Sequence, residues 1–292
     1  LSLNQKLYIF CLAKATLMGR DITFDQQGKY NLRIRKTLET VYLHYEGDRE
    51  CEEFKAFEVY LKRIWFASGI HHHYGCEKFK PGFSEEYFYH LLENIGEELL
   101  PIKRGETKED LMRQLESILF DPEVMPKRVN QTDGEDLVLT SACNFYEDVT
   151  QEEVERFYAK MKKTDNPNPP SYGLNSKLIK RNSEVVELTW KEDGLYGETI
   201  REIVSWLLKA QKYAENEGQK HVIDLLVKFY RTGSLEDFDR YSIAWVEQHE
   251  GLVDFINGFI EVYGDPLGMK GTWEGIVEYK DLEATQRTQT IS

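Results

Sequence analysis

The apolar residues change period along the chain, and that change limits the fold more than any other feature. They recur at helical spacing from Leu7 to Met18, at Leu32, Ile34, Leu38, Val41 and Leu43, and from Phe54 through Trp65. Gly69 then supplies a C-cap candidate. Ser84 and Thr107 open two further helices, the second carrying Leu111, Leu115, Ile118 and Leu119. The middle of the chain differs. Asp136–Ala142 and Glu184–Trp190 group β-branched and apolar residues over strand lengths, as do Phe259–Tyr263 and Gly275–Tyr279 near the end. Between the first two, Thr150-Gln-Glu-Glu153 reads as a capping box for a helix to about Lys163, stopped by the Asn166–Pro170 loop.

Helices return at Ile200–Tyr213, Val222–Tyr230 and Leu235–Val246, divided by turns at Glu217-Gly218 and Thr232-Gly233. The last twelve residues, from Asp281, read as an interrupted helix. The expected class is therefore α+β, mainly α. A helical part, residues 1–130, precedes a mixed helix and strand part of the same lobe, residues 131–292. A small antiparallel sheet or partial β-barrel is expected from the segments near Leu137, Val185, Phe259 and Val277. No fixed-period repeat suggests a solenoid.

A net charge of −14 opposes a phosphate-binding surface, so no nucleic-acid partner is expected. No apolar run approaches the roughly eighteen residues that span a bilayer, which implies no membrane partner. Cys11, Cys51, Cys76 and Cys143 lie far apart without a CxxC pair, which fits reduced thiols and a cytoplasmic location. The chain opens at Leu1 without a Met, as a trimmed N-terminus would.

Two histidine motifs invite a metal reading. His249-Glu250 lacks a second His one turn later, where Val253 and Asp254 stand, so it reads as a polar turn. In His71-His72-His73 adjacent side chains diverge, so a turn with at most one functional His is the better reading. No Gly-rich phosphate cradle, Walker lysine or Gly-x-Ser-x-Gly elbow is present.

The segment from Asn257 to Pro266 remains. On a strand, Glu261 and Tyr263 would share a face, offering a carboxylate for an α-ammonium and a phenol for a carbonyl oxygen gaining charge. Such polar pairs are often only solvated surface.

The stretch Gly258-Phe-Ile-Glu-Val-Tyr-Gly-Asp-Pro-Leu-Gly-Met-Lys-Gly271, followed by Trp273-Glu274-Gly275, resembles the Gly-Phe-Ile-Glu-x-Tyr-x-Asp-Pro-x-Gly-x-x-Gly signature of the dipeptidyl peptidase III family. Tyr74-Gly75, Lys78-Phe79 and Pro81 resemble its aromatic-Gly-x-x-Lys-Phe-x-Pro segment. Asn216-Glu217 and Tyr230-Arg231-Thr232-Gly233 are similar to bacterial members.

The resemblance implies the non-zinc lobe of a two-lobed zinc peptidase that releases dipeptides from oligopeptide N-termini. It implies that Glu261 binds the substrate amine, Tyr263 a peptide carbonyl in the catalytic step, and Tyr74 a substrate side chain. The family's HExxGH motif, a further zinc-binding glutamate and the amine-binding asparagines follow the signature, and Ser292 precedes them all. Zinc is thus expected in the full-length parent, and this chain alone is expected to lack metal ligands and activity. Barrel strands that also follow would leave a sheet edge open to homodimerisation. The alternative is a non-catalytic helical interaction module.

Overall fold

Side chains cap the starts of four helices in the first half. Ser2 accepts the Gln5 amide to start α1 (Leu3–Met18), which α2 (Arg20–Gln26) and α3 (Asn31–His44) follow. The Cys51 sulfur accepts the Phe54 amide at 3.4 Å before α4 (Glu52–Ala67), and Ser84 Oγ the Tyr87 amide at 3.1 Å before α5 (Glu85–Glu93). Thr107 and Asp110 form a capping box at the start of α6 (Lys108–Phe120). Each such cap contributes about 1 kcal/mol. The left-handed residue that ends α4 is Ser68 (φ 55°), not Gly69, whose amide bonds Ile64 O at 3.1 Å.

The computed structural model describes residues 1–162 and 166–291, less the side chains of residues 289 and 291. The chain divides within α2 into two compact units, Phe24–Tyr146 and Leu1–Thr23 with Glu147–Ser292. The sequence reading placed its division at residue 130. α1 instead leaves the N-terminal block in packing, because its buried face of Tyr8, Cys11, Leu12 and Ala15 meets later elements. The unit Phe24–Tyr146 packs α3 to α6 around Ile34, Leu38, Phe57, Leu61, Phe88, Leu92, Leu111 and Leu115. Each large side chain there contributes about 1.5–3 kcal/mol through burial.

β1 (Tyr146–Glu147) spans the boundary, and in the other unit the Thr150–Glu153 capping box opens α7 (Gln151–Ala159) as expected. The helix end expected at Lys163 lies outside the described residues. β2 (Ser176–Arg181) and β3 (Glu184–Thr189) form a hairpin across Asn182 and Ser183, both at positive φ, the backbone that a two-residue primed turn requires. α8 (Gly197–Gln211), α9 (Glu217–Thr232) and α10 (Leu235–Glu247) follow, and then β4 (Val253–Glu261), β5 (Thr272–Tyr279) and α11 (Leu282–Ile291). α1 packs against α8, β4 and β5.

The α+β, mainly helical class is the one expected, but details differ. The strands form two sheets, ordered β1-β2-β3 and β4-β5, with β2-β3 and β4-β5 antiparallel. Asp136–Ala142 is not a strand. The Asp136 carboxylate accepts the Val138 and Leu139 amides, and the Thr140 and Ser141 hydroxyls bond Asp136 O and Leu137 O, so local side chains capture the backbone. Glu217-Gly218 is the first turn of α9, because Asn216 Oδ1 caps it through the Gln219 amide.

Candidate functional site

β4 is rooted in the core before it reaches the surface. Tyr230 donates its hydroxyl to Asn257 Oδ1 at 2.6 Å and accepts from Trp273 Nε1 at 3.0 Å, while Phe259 lies 4.7 Å from the Trp190 ring. A register shift between Phe259 and Glu261 then interrupts pairing with β5, and Glu261, opposite Thr272, is the exposed last residue of the strand. Glu274, half-buried on β5, has its carboxyl pushed above the usual range, first by burial and then by the charge of Glu261.

Tyr263 stands beyond the strand, so the shared strand face expected for Glu261 and Tyr263 is absent. Here Asp265 overrides the alternation: its amide bonds Val262 O at 3.1 Å and closes a turn around Tyr263, which is 70% exposed. The buried Asp265 carboxylate also collects the amides of Leu267 at 3.2 Å, Met269 at 2.8 Å and Lys270 at 2.9 Å. Gly271 N bonds Leu174 O at 2.7 Å and ends the loop. An exposed carboxylate and phenol thus project from a backbone whose donors are taken up internally. Together they can hold an ammonium and donate to a carbonyl oxygen.

Lys270 enters the interior from this loop and is 0% exposed. Its ammonium donates to Tyr158 OH and to Ser176 Oγ, the latter at 3.0 Å. Both hydroxyls donate to Glu187 Oε1, at 2.7 Å and 2.6 Å. Burial lowers the ammonium pKa to about 8 against the pull of Glu187 and Asp265.

Tyr74 belongs to the unit Phe24–Tyr146 and is 85% exposed at the tip of a turn. His72 Nδ1 accepts the amides of Tyr74 at 3.3 Å and Gly75 at 3.0 Å, and the His73 ring lies 4.3 Å from that of Tyr74. Arg128 donates to His73 O at 2.9 Å, while Lys78 donates to Ile118 O and Asp121 O at the end of α6 and to Val124 O beyond it. His71 is buried and donates Nε2–H to Met125 O at 2.8 Å.

These histidines do not fit a zinc site, since His71 and His72 are committed to backbone groups. Among the described residues no cluster of three or more His, Cys, Asp or Glu could hold a metal. His249 lies in the link from α10 to β4, where Val253 begins a strand and not a zinc helix. Among the described residues no helix is long and apolar enough to cross a membrane. Sequence reasoning missed Asp265, Lys270, Tyr158 and Glu187 as supports of the site. Asp265-Pro266 was a legible turn signal, whereas nothing local marks Lys270 as buried.

A profile described as Peptidase family M49 matches residues 123–292, more than half of the chain. Dipeptidyl peptidase 3 of Homo sapiens is 25% identical over 309 residues, covering 95% of this chain and 42% of the relative. The Mus musculus protein of that name is 25% identical over 255 residues, covering 77% of this chain and 33% of the relative. The chain therefore spans less than half the length of these relatives. In fold it is similar to DPP III from Caldithrix abyssi, with a TM-score of 0.63 at 17% identity over 99% of this chain and 42% of that one.

Proposed function

Because the chain belongs to peptidase family M49, we propose that it forms the substrate-cleft lobe of a zinc dipeptidyl peptidase that releases dipeptides from peptide N-termini. Glu261 holds the free α-ammonium of an oligopeptide through a charge-assisted bond. Tyr263 donates to the carbonyl oxygen of the scissile bond as that oxygen gains charge. Tyr74 lays its exposed ring against a substrate side chain.

The observation that carries this reading is the pairing of exposed groups with an ordered base. Glu261 and Tyr263 face solvent, while Asp265 takes up the amides of the loop behind them. In such a peptidase zinc would supply the activated water, and among the described residues no cluster of three or more His, Cys, Asp or Glu could hold it. This chain's own part is to bind and orient the peptide and to offer the Tyr263 proton.

All four cysteines are thiols, which supports a reducing compartment such as the cytoplasm. The outer edge of β5 is proposed to pair with a second copy of the chain.

The test is a titration of the chain with a fluorescent tetrapeptide bearing a free or an acetylated N-terminus. The free peptide should bind about tenfold more tightly, and Glu261→Gln should abolish the difference. Equal affinity for both peptides in the unaltered chain would refute the role of Glu261.

A further inference from the structure

A lysine with no exposed surface is unusual, because burying an ammonium costs several kcal/mol unless the geometry compensates. Lys270 meets that cost with two hydroxyl acceptors on separate elements, Tyr158 on α7 and Ser176 on β2. A Glu187 oxygen on β3 receives both hydroxyl protons, so ammonium, hydroxyls and carboxylate form a closed circuit. The circuit is close-packed: a Cβ added at Gly173 would meet Tyr158 at 2.8 Å and Lys270 Nζ at 3.2 Å. Its other end is the loop behind Tyr263, where the Lys270 amide is held by the same Asp265 whose own amide closes the turn at Val262.

We propose that Lys270 is a positioning residue: its buried ammonium locks the Val262–Gly271 loop to α7 and the β2-β3 hairpin and so fixes where Tyr263 and Glu261 stand. The inference rests on the peptide-binding reading only for what the fixed residues then do. A tether of this kind sets a direction as well as a distance, because hydroxyl acceptors on two elements define where the amine must lie. An apolar side chain of equal length would fill the volume and hold no orientation.

Lys270→Met separates the lock from the fold. Without the ammonium, Glu187 keeps both hydroxyl donors, but it and the buried Asp265 lose the cation they face. The melting temperature at pH 7 should therefore fall somewhat, so the lock is read from where exchange accelerates and not from that fall. Amide hydrogen exchange of Asp265, Met269, Lys270 and Gly271 should accelerate by at least about tenfold, with β2-β3 unchanged. Tyr158→Phe, which keeps the ring and removes one acceptor, should give a smaller change in the same amides.

The pH profile is a second signature. The groups facing Nζ are Tyr158 from α7, Ser176 and Glu187 from the hairpin, and Asp265 from its own loop. With the folded pKa near 8 and an ordinary value of 10.5, the unfolded chain binds more protons between them. Stability of the wild type should thus rise across that window, and the rise should vanish in Lys270→Met.

In the tetrapeptide titration Lys270→Met should weaken binding about tenfold. Accelerated loop exchange in Lys270→Met, with a wild type that binds no peptide, would uphold the lock and reject the cleft reading alone. Unchanged loop exchange in both variants would overturn the lock. So would loss of protection spread evenly throughout the unit, which is what a merely structural lysine predicts.

Discussion

A phenol whose hydrogen bond strengthens as a carbonyl oxygen gains charge acts on the transition state, whereas a carboxylate holding an ammonium acts before and after it. In the full-length parent, Tyr263→Phe is therefore expected to lower kcat by roughly ten- to thousand-fold with little change in KM. Glu261→Gln is expected chiefly to raise KM. Both side chains are exposed, so neither change should move the melting temperature, and steady-state kinetics with thermal unfolding checks all three statements. His71 gives a residue-scale prediction of another kind. Burial lowers its pKa to about 4 from an ordinary 6.5, against the Met125 hydrogen bond, with Arg128 and Lys78 adding to the drop. Its Nδ1 is buried without a partner, so protonation would place an uncompensated charge in the interior. The folded form refuses a proton that the unfolded chain accepts, so stability is lost as pH falls from 6.5 towards 4. The loss attributable to His71 is at most about 3 kcal/mol, and urea unfolding across that range should show a shallower slope for His71→Phe. Glu261, Tyr263 and Tyr74 are proposed from the sequence because a spaced motif carries them. The supports were not, because the burial of Lys270 depends on partners 94 and 112 positions away.

Between β4 and β5 the decisive element is the return of the loop. Gly271 lies so close to β4 that an added Cβ would sit 2.8 Å from the carbonyl carbon of Phe259 and 3.0 Å from its oxygen. A backbone neighbour cannot rotate aside, so Gly271→Ala should cost about 1–3 kcal/mol by forcing the strands apart. Gly268, at φ 63° with nothing within 4 Å of an added Cβ, is the contrasting case. Gly268→Ala meets backbone strain without a clash and should cost only about 1 kcal/mol. Chemical denaturation of both variants checks the order, and an equal or reversed cost would show that the Phe259 contact relaxes freely. Helices proved readable here because their caps and their apolar period lie in the same short window, as at Thr107 and Leu111. Strands were harder. β2 was missed because its two lysines disguise it, Lys180 and the buried Lys177 reaching Glu153 and Glu147 at 2.7 Å. Asp136–Ala142 looked like a strand by apolar content, but an aspartate at its head and hydroxyls at its tail satisfied the backbone locally.

The whole chain carries a net charge of −14 and a sheet that ends at β5, and the two features oppose each other. Among the described residues no further strand pairs with the outer edge of β5, where Ile276 is 47% and Tyr279 59% exposed. An edge with unpaired backbone groups and exposed apolar side chains is a template for a second strand, and an identical copy offers an antiparallel match. Charge repulsion between two chains of the same sign resists that pairing, over a range set by the screening length of about 10 Å at 0.1 M salt. The chain should therefore be monomeric at low salt and micromolar concentration. It should move towards a dimer as both salt and concentration rise, which is the reverse of an association held by ion pairs. Ile276→Lys places a charge on the edge and should restore the monomer at every salt concentration, with the fold unchanged by circular dichroism. Multi-angle light scattering of both proteins across a salt series decides the matter. A wild type that stays monomeric at high salt and high concentration would remove the homodimer from the proposal. A dimer indifferent to Ile276→Lys would move the contact away from β5.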